Sequence, residues 1–549
     1  MTQTFTILLP QTMLAACACL LILGSAFSVR PRRWGGLALA AVAASALCLA
    51  YVSSFSADDW APDAASSVLV DSISIGYQWM CLGLAALFVL LSHEQAATKT
   101  SAEFYALLLL MFSGMMLVGS ANELILIFLS LELISVPTYV LLYLGRRDPR
   151  SQEAALKYFL LSVLSAAVLL YGFSLLYGLA GTTNLDVIRN ILAETYSKSD
   201  SAQVAAGGSV LGMVALVLIF AGLGFKVAAV PFHFYAPDVY QGTSAYNAGL
   251  LAIIPKAAGL VALIRVASET MVGFETSGER VALILAGITM TGGNCLGLLQ
   301  SNIRRMLAYS SIAHAGYMLI GVAVGFWDSW NGDLSLDAAG GLPGGVGASL
   351  LYLFTYSLAT VGLFGVLVYL ARPGGRQIEH IDDLTGLVRT HPVMATCAAL
   401  FLFSLAGVPP LPGFWGKLAV FASALSVRGE SPGLFVEMHS GFMILAVVGV
   451  LNAAVGAVYY LRVVALMFLN DPVSSPQPSG GKPAFAAVCC SAVLLMGVGI
   501  FPTPLFTYLN RGVSQIAPAT VRSPAGTLEP RPAAIHGHSV IAVQTQHDR

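Results

Sequence analysis

Apolar runs long enough to cross a bilayer recur along almost the whole of this chain. A spanning helix needs about 17–25 mostly apolar residues to cover ~30 Å of hydrocarbon. By that measure about fourteen spans are read, at 6–28, 34–54, 74–92, 103–120, 122–144, 153–178, 206–230, 243–268, 279–300, 303–325, 345–371, 393–427, 441–467 and 483–507. Backbone in hydrocarbon must satisfy its own N–H and C=O groups, so each run is read as helix. Only 10% of residues are charged, against about 25% in soluble globular proteins. The expected fold is an all-α integral membrane protein.

Two of the runs cannot be straight helices. The twelfth is overlong and holds Gly407, Pro409, Pro410, Pro412 and Gly413 in close succession. The seventh meets Pro231 just after Lys226; proline lacks an N–H and clashes with the carbonyl four residues back. The broken helices 7 and 12 lie an odd number of spans apart, which reverses orientation. That places two inverted five-helix repeats at 101–270 (helices 4–8) and 271–470 (helices 9–13), the plan by which secondary transporters gather ion sites at the midplane. Helices 1–3 occupy 1–100 and helix 14 lies within 471–509. The polar, proline-rich stretch 510–549, with His536 and His538, is read as a disordered tail.

Loop charges orient the chain. One side collects Arg30, Arg32, Arg33, Lys99, Arg146, Arg147, Arg150, Arg304, Arg305, Arg372, Arg376, Arg389 and Lys482. The other holds Arg189, Lys198, Arg280 and Arg428 with Asp58, Asp59, Asp63 and Asp71. The basic side is cytoplasmic by the positive-inside rule, which puts both termini outside. The first run is too long for a signal-peptide core and is read as a retained helix.

Other classes fall away. A net charge of −1 gives no basic field for nucleic acid. No phosphate-cradling glycine motif follows a strand signal. The eight cysteines lie in apolar segments without C-x-x-C spacing, so they are read as packing residues and the chain is expected to hold no redox centre or metal.

The chemistry is carried by ionisable residues inside the spans. Glu132, Lys226, Lys256 and Lys417 each lie deep within one, where a charge costs roughly 2.5–3.5 kcal/mol on insertion scales. Glu132 stands about ten residues, or ~15 Å, from the outer end of its run. Lys226 precedes Pro231 and is the natural mate of Glu132. Lys256 follows Pro255 near the centre of segment eight, and Lys417 follows the break of segment twelve by four residues. His233 and His314 titrate near neutrality when unperturbed; for both, relay and packing roles stay open. Lys157, near the cytoplasmic start of segment six, is open to snorkelling as well. Two charges ~8 Å apart interact by roughly 2 kcal/mol at an effective dielectric of 20. That is enough to shift a proton equilibrium more than about tenfold, so separating Glu132 from Lys226 would make the lysine readier to pass its proton on.

The residues that carry this chemistry sit in recognisable stretches: Leu131-Glu-Leu-Ile-Ser-Val-Pro137 with Arg146-Arg147-Asp148, Glu153-Ala-Ala-Leu-Lys157-Tyr-Phe-Leu160, and Phe225-Lys-Val-Ala-Ala-Val-Pro-Phe-His233 with Ala236-Pro-Asp-Val-Tyr240. Two more follow, Asn302-Ile-Arg-Arg-Met-Leu-Ala-Tyr-Ser-Ser-Ile-Ala-His-Ala-Gly-Tyr317 and Leu405-Ala-Gly-Val-Pro-Pro-Leu-Pro-Gly-Phe414 with Lys417. From about segment four to segment thirteen the chain resembles the antiporter-like membrane subunits of respiratory complex I, the subunit N family of bacterial NADH–quinone oxidoreductase. The resemblance implies a fourteen-helix fold with two inverted five-helix units, and proton movement coupled to electron transfer from NADH to quinone. It makes Glu132 and Lys226 a coupled pair, Lys256 the central relay and Lys417 the residue toward the outer half-channel, with Lys157 and His233 in support. It also implies neighbouring antiporter-like subunits in the bacterial inner membrane as partners, with NADH, FMN, iron–sulfur clusters and quinone held by other subunits. A related subunit of a multisubunit cation/proton antiporter, and an assembly scaffold whose charges only lock helices, are the alternative readings.

Overall fold

The structure is a computed structural model that describes residues 2–27, 31–55, 66–94, 100–145, 148–197, 202–268, 270–331, 337–338, 341–372, 376–427, 434–472 and 476–516. Arg30, Lys99, Arg146, Arg147, Lys198, Arg428, Asp58, Asp59 and Asp63, used above for orientation, lie outside these residues, as does the tail beyond Ile516.

The helices run in order α1 (Thr2–Ile7), α2 (Leu9–Ser25), α3 (Pro31–Ser53), α4 (Ser72–Leu91), α5 (Ser101–Ser120), α6 (Leu124–Gly145) and α7 (Pro149–Ala180). Next come α8 (Leu185–Ser197), α9 (Ala202–Val227), α10 (Tyr235–Gly242), α11 (Ala245–Leu263, continued by a π-turn at Ile264–Ser268), α12 (Glu275–Leu298) and α13 (Ile303–Asn331). The chain closes with α14 (Gly345–Tyr369), α15 (Leu387–Thr390), α16 (Pro392–Ala406), α17 (Pro412–Ser426), α18 (Leu434–Leu469), α19 (Gly481–Ile500) and α20 (Thr503–Ile516). Twelve helices among the described residues are long and apolar enough to cross a membrane, and α2 and α16 are shorter apolar helices. Among the described residues, strand pairing is confined to short loop pieces such as Leu370–Arg372 against Arg376–Gln377.

Both expected breaks are present. α9 stops at Val227, and Ala228 takes the left-handed conformation at φ 61° while Ala229 N–H bonds back to Gly224 O at 2.8 Å. α16 stops at Ala406, where Gly407 at φ 90° turns its N–H onto Phe403 O and Ser404 O, the usual glycine termination. Pro412 then opens α17, a position where its missing N–H is no loss. Gly413 seats the two half-helices together: a Cβ there would lie 1.9 Å from Ser404 O.

One expected span differs. The run 483–507 is split into α19 and α20, because Pro502 can neither donate to α19 nor let Phe501 keep a helical backbone. α20 buries Phe506 and Leu509 and leaves Thr507, Tyr508 and Arg511 exposed, an amphipathic pattern suited to the membrane surface. It continues to Ile516, past the point where the sequence reading began a disordered tail.

The spans divide into centre and rim. The apolar windows of α11 and α13 are entirely buried and that of α14 is 94% buried, whereas those of α7, α12 and α19 are 39% buried. The rim helices turn Leu156, Leu160, Leu164, Ile284, Val493 and similar side chains outward, as lipid contact requires. The three central helices are the ones that carry Lys256, His314 and a set of tyrosines. At the far end of α11, buried Arg265 binds Asp71, the N-cap of α4, at 2.7 Å, tying the N-terminal helices to the central core.

Candidate functional site

Lys226 stands in the last turn of α9 with 4% of its surface exposed. Its ammonium donates to Ser135 Oγ at 2.6 Å and Ser162 Oγ at 3.0 Å. Ser135 passes its own proton to Leu131 O, and Ser162 also accepts from the Tyr139 hydroxyl at 2.8 Å. The hydroxyls thus turn their lone pairs to the amine. Glu132, three residues before Ser135 on α6, acts electrostatically on Lys226, yet no ion pair among the described residues joins them. Its Oε1 is buried without a hydrogen-bond partner. The backbone of α9 reaches α11 here, since a Cβ on Gly259 would meet Lys226 Cβ at 2.8 Å. Gly259 lies one turn beyond Lys256, which places the Lys226 position beside the Lys256 helix.

Lys256 is 2% exposed. Its ammonium donates to Ser311 O and, at 2.5 Å, to Ser311 Oγ, and it lies 5.0 Å from the centre of the Tyr356 ring. The Tyr356 hydroxyl donates to the same Ser311 Oγ at 2.8 Å. One turn further along α13, His314 is gripped on both ring nitrogens, Nδ1 by the Tyr352 hydroxyl at 2.7 Å and Nε2 by that of Tyr460 at 2.9 Å. Tyr460 also bonds Ser310 Oγ.

Lys417, 7% exposed, is held by the break itself. It donates to Leu405 O at 2.9 Å and Ala406 O at 2.7 Å, the carbonyls that α16 leaves unsatisfied where it ends. Its ammonium stands 5.3 Å from the centre of the Tyr317 ring, and Tyr317 in turn stacks on Tyr352 at 5.9 Å. Lys256, His314 and Lys417 are therefore brought together by a lining of tyrosines.

The other two candidates stand apart from this network. Lys157 is 45% exposed and pairs with Glu153 at 2.7 Å and Asp238 at 3.4 Å. His233 lies in the connection between α9 and α10, with Nδ1 buried and unpartnered.

Sequence reasoning missed the neutral partners. Ser135, Ser162, Ser310, Ser311, Tyr317, Tyr352, Tyr356 and Tyr460 are the acceptors and rings around the charges, and the first four are serines within mid-span stretches that read as ordinary packing. A signal existed in the spacing: Ser310 and Ser311 precede His314 by about one turn, and Tyr352 and Tyr356 share a helix face. Glu279, 2% exposed at the start of α12 with Oε1 unpartnered, was also missed.

Comparison with known proteins identifies the family. The family model described as NADH:quinone oxidoreductase/Mrp antiporter, TM, matches residues 121–442, more than half of the chain. The chain belongs to that family. It is 37% identical over 418 residues to NADH-quinone oxidoreductase subunit N of Paramagnetospirillum magneticum, covering 76% of this chain and 78% of the relative. It is 35% identical to NADH-quinone oxidoreductase subunit N 1 of Koribacter versatilis, covering 92% and 94%. Among solved structures, a chain of respiratory complex I from Thermus thermophilus with bound aureothin superposes with TM-score 0.71 at 32% identity, covering 92% of this chain and all of that one. A chain of the Mrp complex from Dietzia sp. superposes with TM-score 0.70 at 20% identity, which is a likeness of fold. The match 121–442 contains all seven candidate residues and both broken helices.

Proposed function

We propose that this chain, as a membrane subunit of NADH–quinone oxidoreductase, moves protons across the bacterial inner membrane through Glu132, Lys226, Lys256, His314 and Lys417, driven by electron transfer from NADH to quinone in the rest of the complex. One observation carries the reading. Three lysines are more than nine-tenths buried, and none is ion-paired to a carboxylate among the described residues. Hydroxyls and carbonyls hold them instead. A lysine kept only to lock helices needs a permanent counter-charge, because an unmatched buried charge costs several kcal/mol. An amine surrounded by neutral acceptors suits a group that alternates between carrying a proton and not.

The breaks support the same reading. Lys226 closes the half-helix before the first break and Lys417 follows the second, as expected if 101–270 and 271–470 are inverted repeats with their ion sites at the interruptions. Glu132, whose Oε1 has no hydrogen-bond partner among the described residues, sets the field at Lys226 from one side. Lys157 and His233 serve at the cytoplasmic approach and at the first break. The subunit N relatives and the complex I neighbour favour other membrane subunits, including adjoining antiporter-like ones, as the partners, with the flavin, clusters and quinone site outside this chain. The loop charges favour both termini on the periplasmic side.

The test is Lys256→Met in the complete complex. In inverted membrane vesicles, assembly on native gels should be preserved while NADH-driven acidification is lost. Normal acidification by a fully assembled Lys256→Met complex sinks the proposal and leaves the scaffold reading.

A further inference from the structure

His314 has no free ring nitrogen. It is 3% exposed, and Tyr352 and Tyr460, both 2% exposed, occupy Nδ1 and Nε2. A neutral imidazole carries one N–H and one bare nitrogen, so one phenol must accept from the ring while the other donates to it. With Ser310 bound to Tyr460, four groups form one chain: Ser310 Oγ, Tyr460 Oη, the imidazole and Tyr352 Oη. For either tautomer of the ring the hydroxyls can all donate in one direction, so the chain can take two opposite polarities.

Resting on the proton-transfer reading above, we propose that protons pass between the Lys256 and Lys417 regions through these hydroxyls by tautomer exchange at His314, with Tyr352 and Tyr460 as relay residues. A proton arriving at Tyr460 Oη releases that hydroxyl's own proton to Nε2. The imidazole gives up its Nδ1 proton to Tyr352 Oη, and the Tyr352 hydroxyl proton leaves on the far side. One proton enters and one departs; each O–H or N–H bond broken is matched by one formed. The ring ends with its proton on the other nitrogen and the hydroxyls reversed.

The ends of the chain lie where the lysines are. Ser310 is the chain neighbour of Ser311, whose Oγ accepts from Lys256. Tyr352 packs against Gly416, where a Cβ would meet its Cδ2 at 3.2 Å, and Gly416 directly precedes Lys417. Reversal has a consequence for control. A second proton cannot follow from the same side until the hydroxyls and tautomer reset, so the segment passes one proton per reset without any helix moving.

Tyr352→Phe and Tyr460→Phe test this, because each keeps the ring and removes only the hydroxyl. In assembled complex in inverted vesicles, each variant should lose roughly tenfold or more of the acidification rate, in the range of a missing proton-transfer group. Infrared difference spectra of the native complex with 15N-labelled histidine should show an imidazole tautomer band exchanging on turnover. Unimpaired acidification in both phenylalanine variants, with Lys256→Met still inactive, overturns the tyrosine relay and leaves the lysine reading standing. Acidification that survives Lys256→Met removes both. If the variants fail to assemble, the native spectrum decides: no tautomer exchange on turnover overturns the relay.

Discussion

Lys417 Nζ donates to Ala406 O at 2.7 Å, so the side chain that follows the break in the twelfth span caps the half-helix that precedes it. The C-terminal end of a helix carries partial negative charge on its unsatisfied carbonyls, and burial strengthens any bond made to it. The amine is thus part of the architecture of the break as well as of its chemistry. Lys417→Met leaves two buried carbonyls short of a donor, at about 1–3 kcal/mol each. The purified chain should unfold at lower temperature, and the complex should lose acidification beyond what the lost stability explains. Unchanged melting would rule out the capping role.

Gly407 is the complementary element. Its φ of 90° lies in the left-handed region, and a Cβ there would stand 2.9 Å from Lys417 Cδ. Gly407→Ala is expected to cost about 1–2 kcal/mol in backbone strain and to push the lysine off its carbonyls. Its acidification defect should therefore resemble that of Lys417→Met although no ionisable group has been changed. A variant that melts early but pumps normally would separate strain from function.

Ser135 and Ser162 hold the Lys226 ammonium. Replacing both by alanine leaves a buried amine with both hydroxyl partners gone, a loss of about 1–3 kcal/mol per group. The double variant should be destabilised more than the sum of the singles if the two hydroxyls substitute for one another. Thermal unfolding of the three variants forms the cycle that measures this.

Buried Arg265 pairs with partly exposed Asp71 at 2.7 Å, and Arg265 also donates to Gly119 O at 3.2 Å. Asp71→Asn strands the buried Arg265 guanidinium and should lower thermal stability, by less than the about 3–5 kcal/mol of a fully buried pair because Asp71 is partly exposed. Arg265→Met combined with Asp71→Asn should recover part of it, because no charge is then stranded. A double variant no better than the single would mean that the pair contributes little beyond its hydrogen bonds.

Ala228 points the other way. A non-glycine residue at φ 61° carries a strain of about 1–2 kcal/mol, so Ala228→Gly should raise stability by up to ~1 kcal/mol once glycine's greater freedom in the unfolded chain is counted. A lower melting temperature would show that the alanine methyl packs well enough to outweigh the strain.

The all-helical membrane character and the two broken helices were legible because hydrocarbon imposes length on helices and because Pro231 and the Gly407–Gly413 run offer no helical alternative. The sequence pattern also carried the family. It did not carry the end of α19, because hydropathy runs smoothly through Phe501 and only the backbone limits of Pro502 stop the helix. Nor did it single out the tyrosines, since Tyr352, Tyr356 and Tyr460 are common helix residues whose hydroxyls matter only through what they face.

What the amino-acid order determined by itself is which segments are apolar enough to span a membrane and which charges lie within them, because both follow from local transfer free energies. What the tertiary structure alone decided is which neutral atoms meet those charges: Ser135 and Ser162 at Lys226, Ser311 at Lys256, two phenols at His314, and the end of α16 at Lys417. Hydrogen bonds act over about 3 Å between residues far apart in the chain, and no spacing rule within one helix specifies the rotation and depth at which another helix presents its side chains.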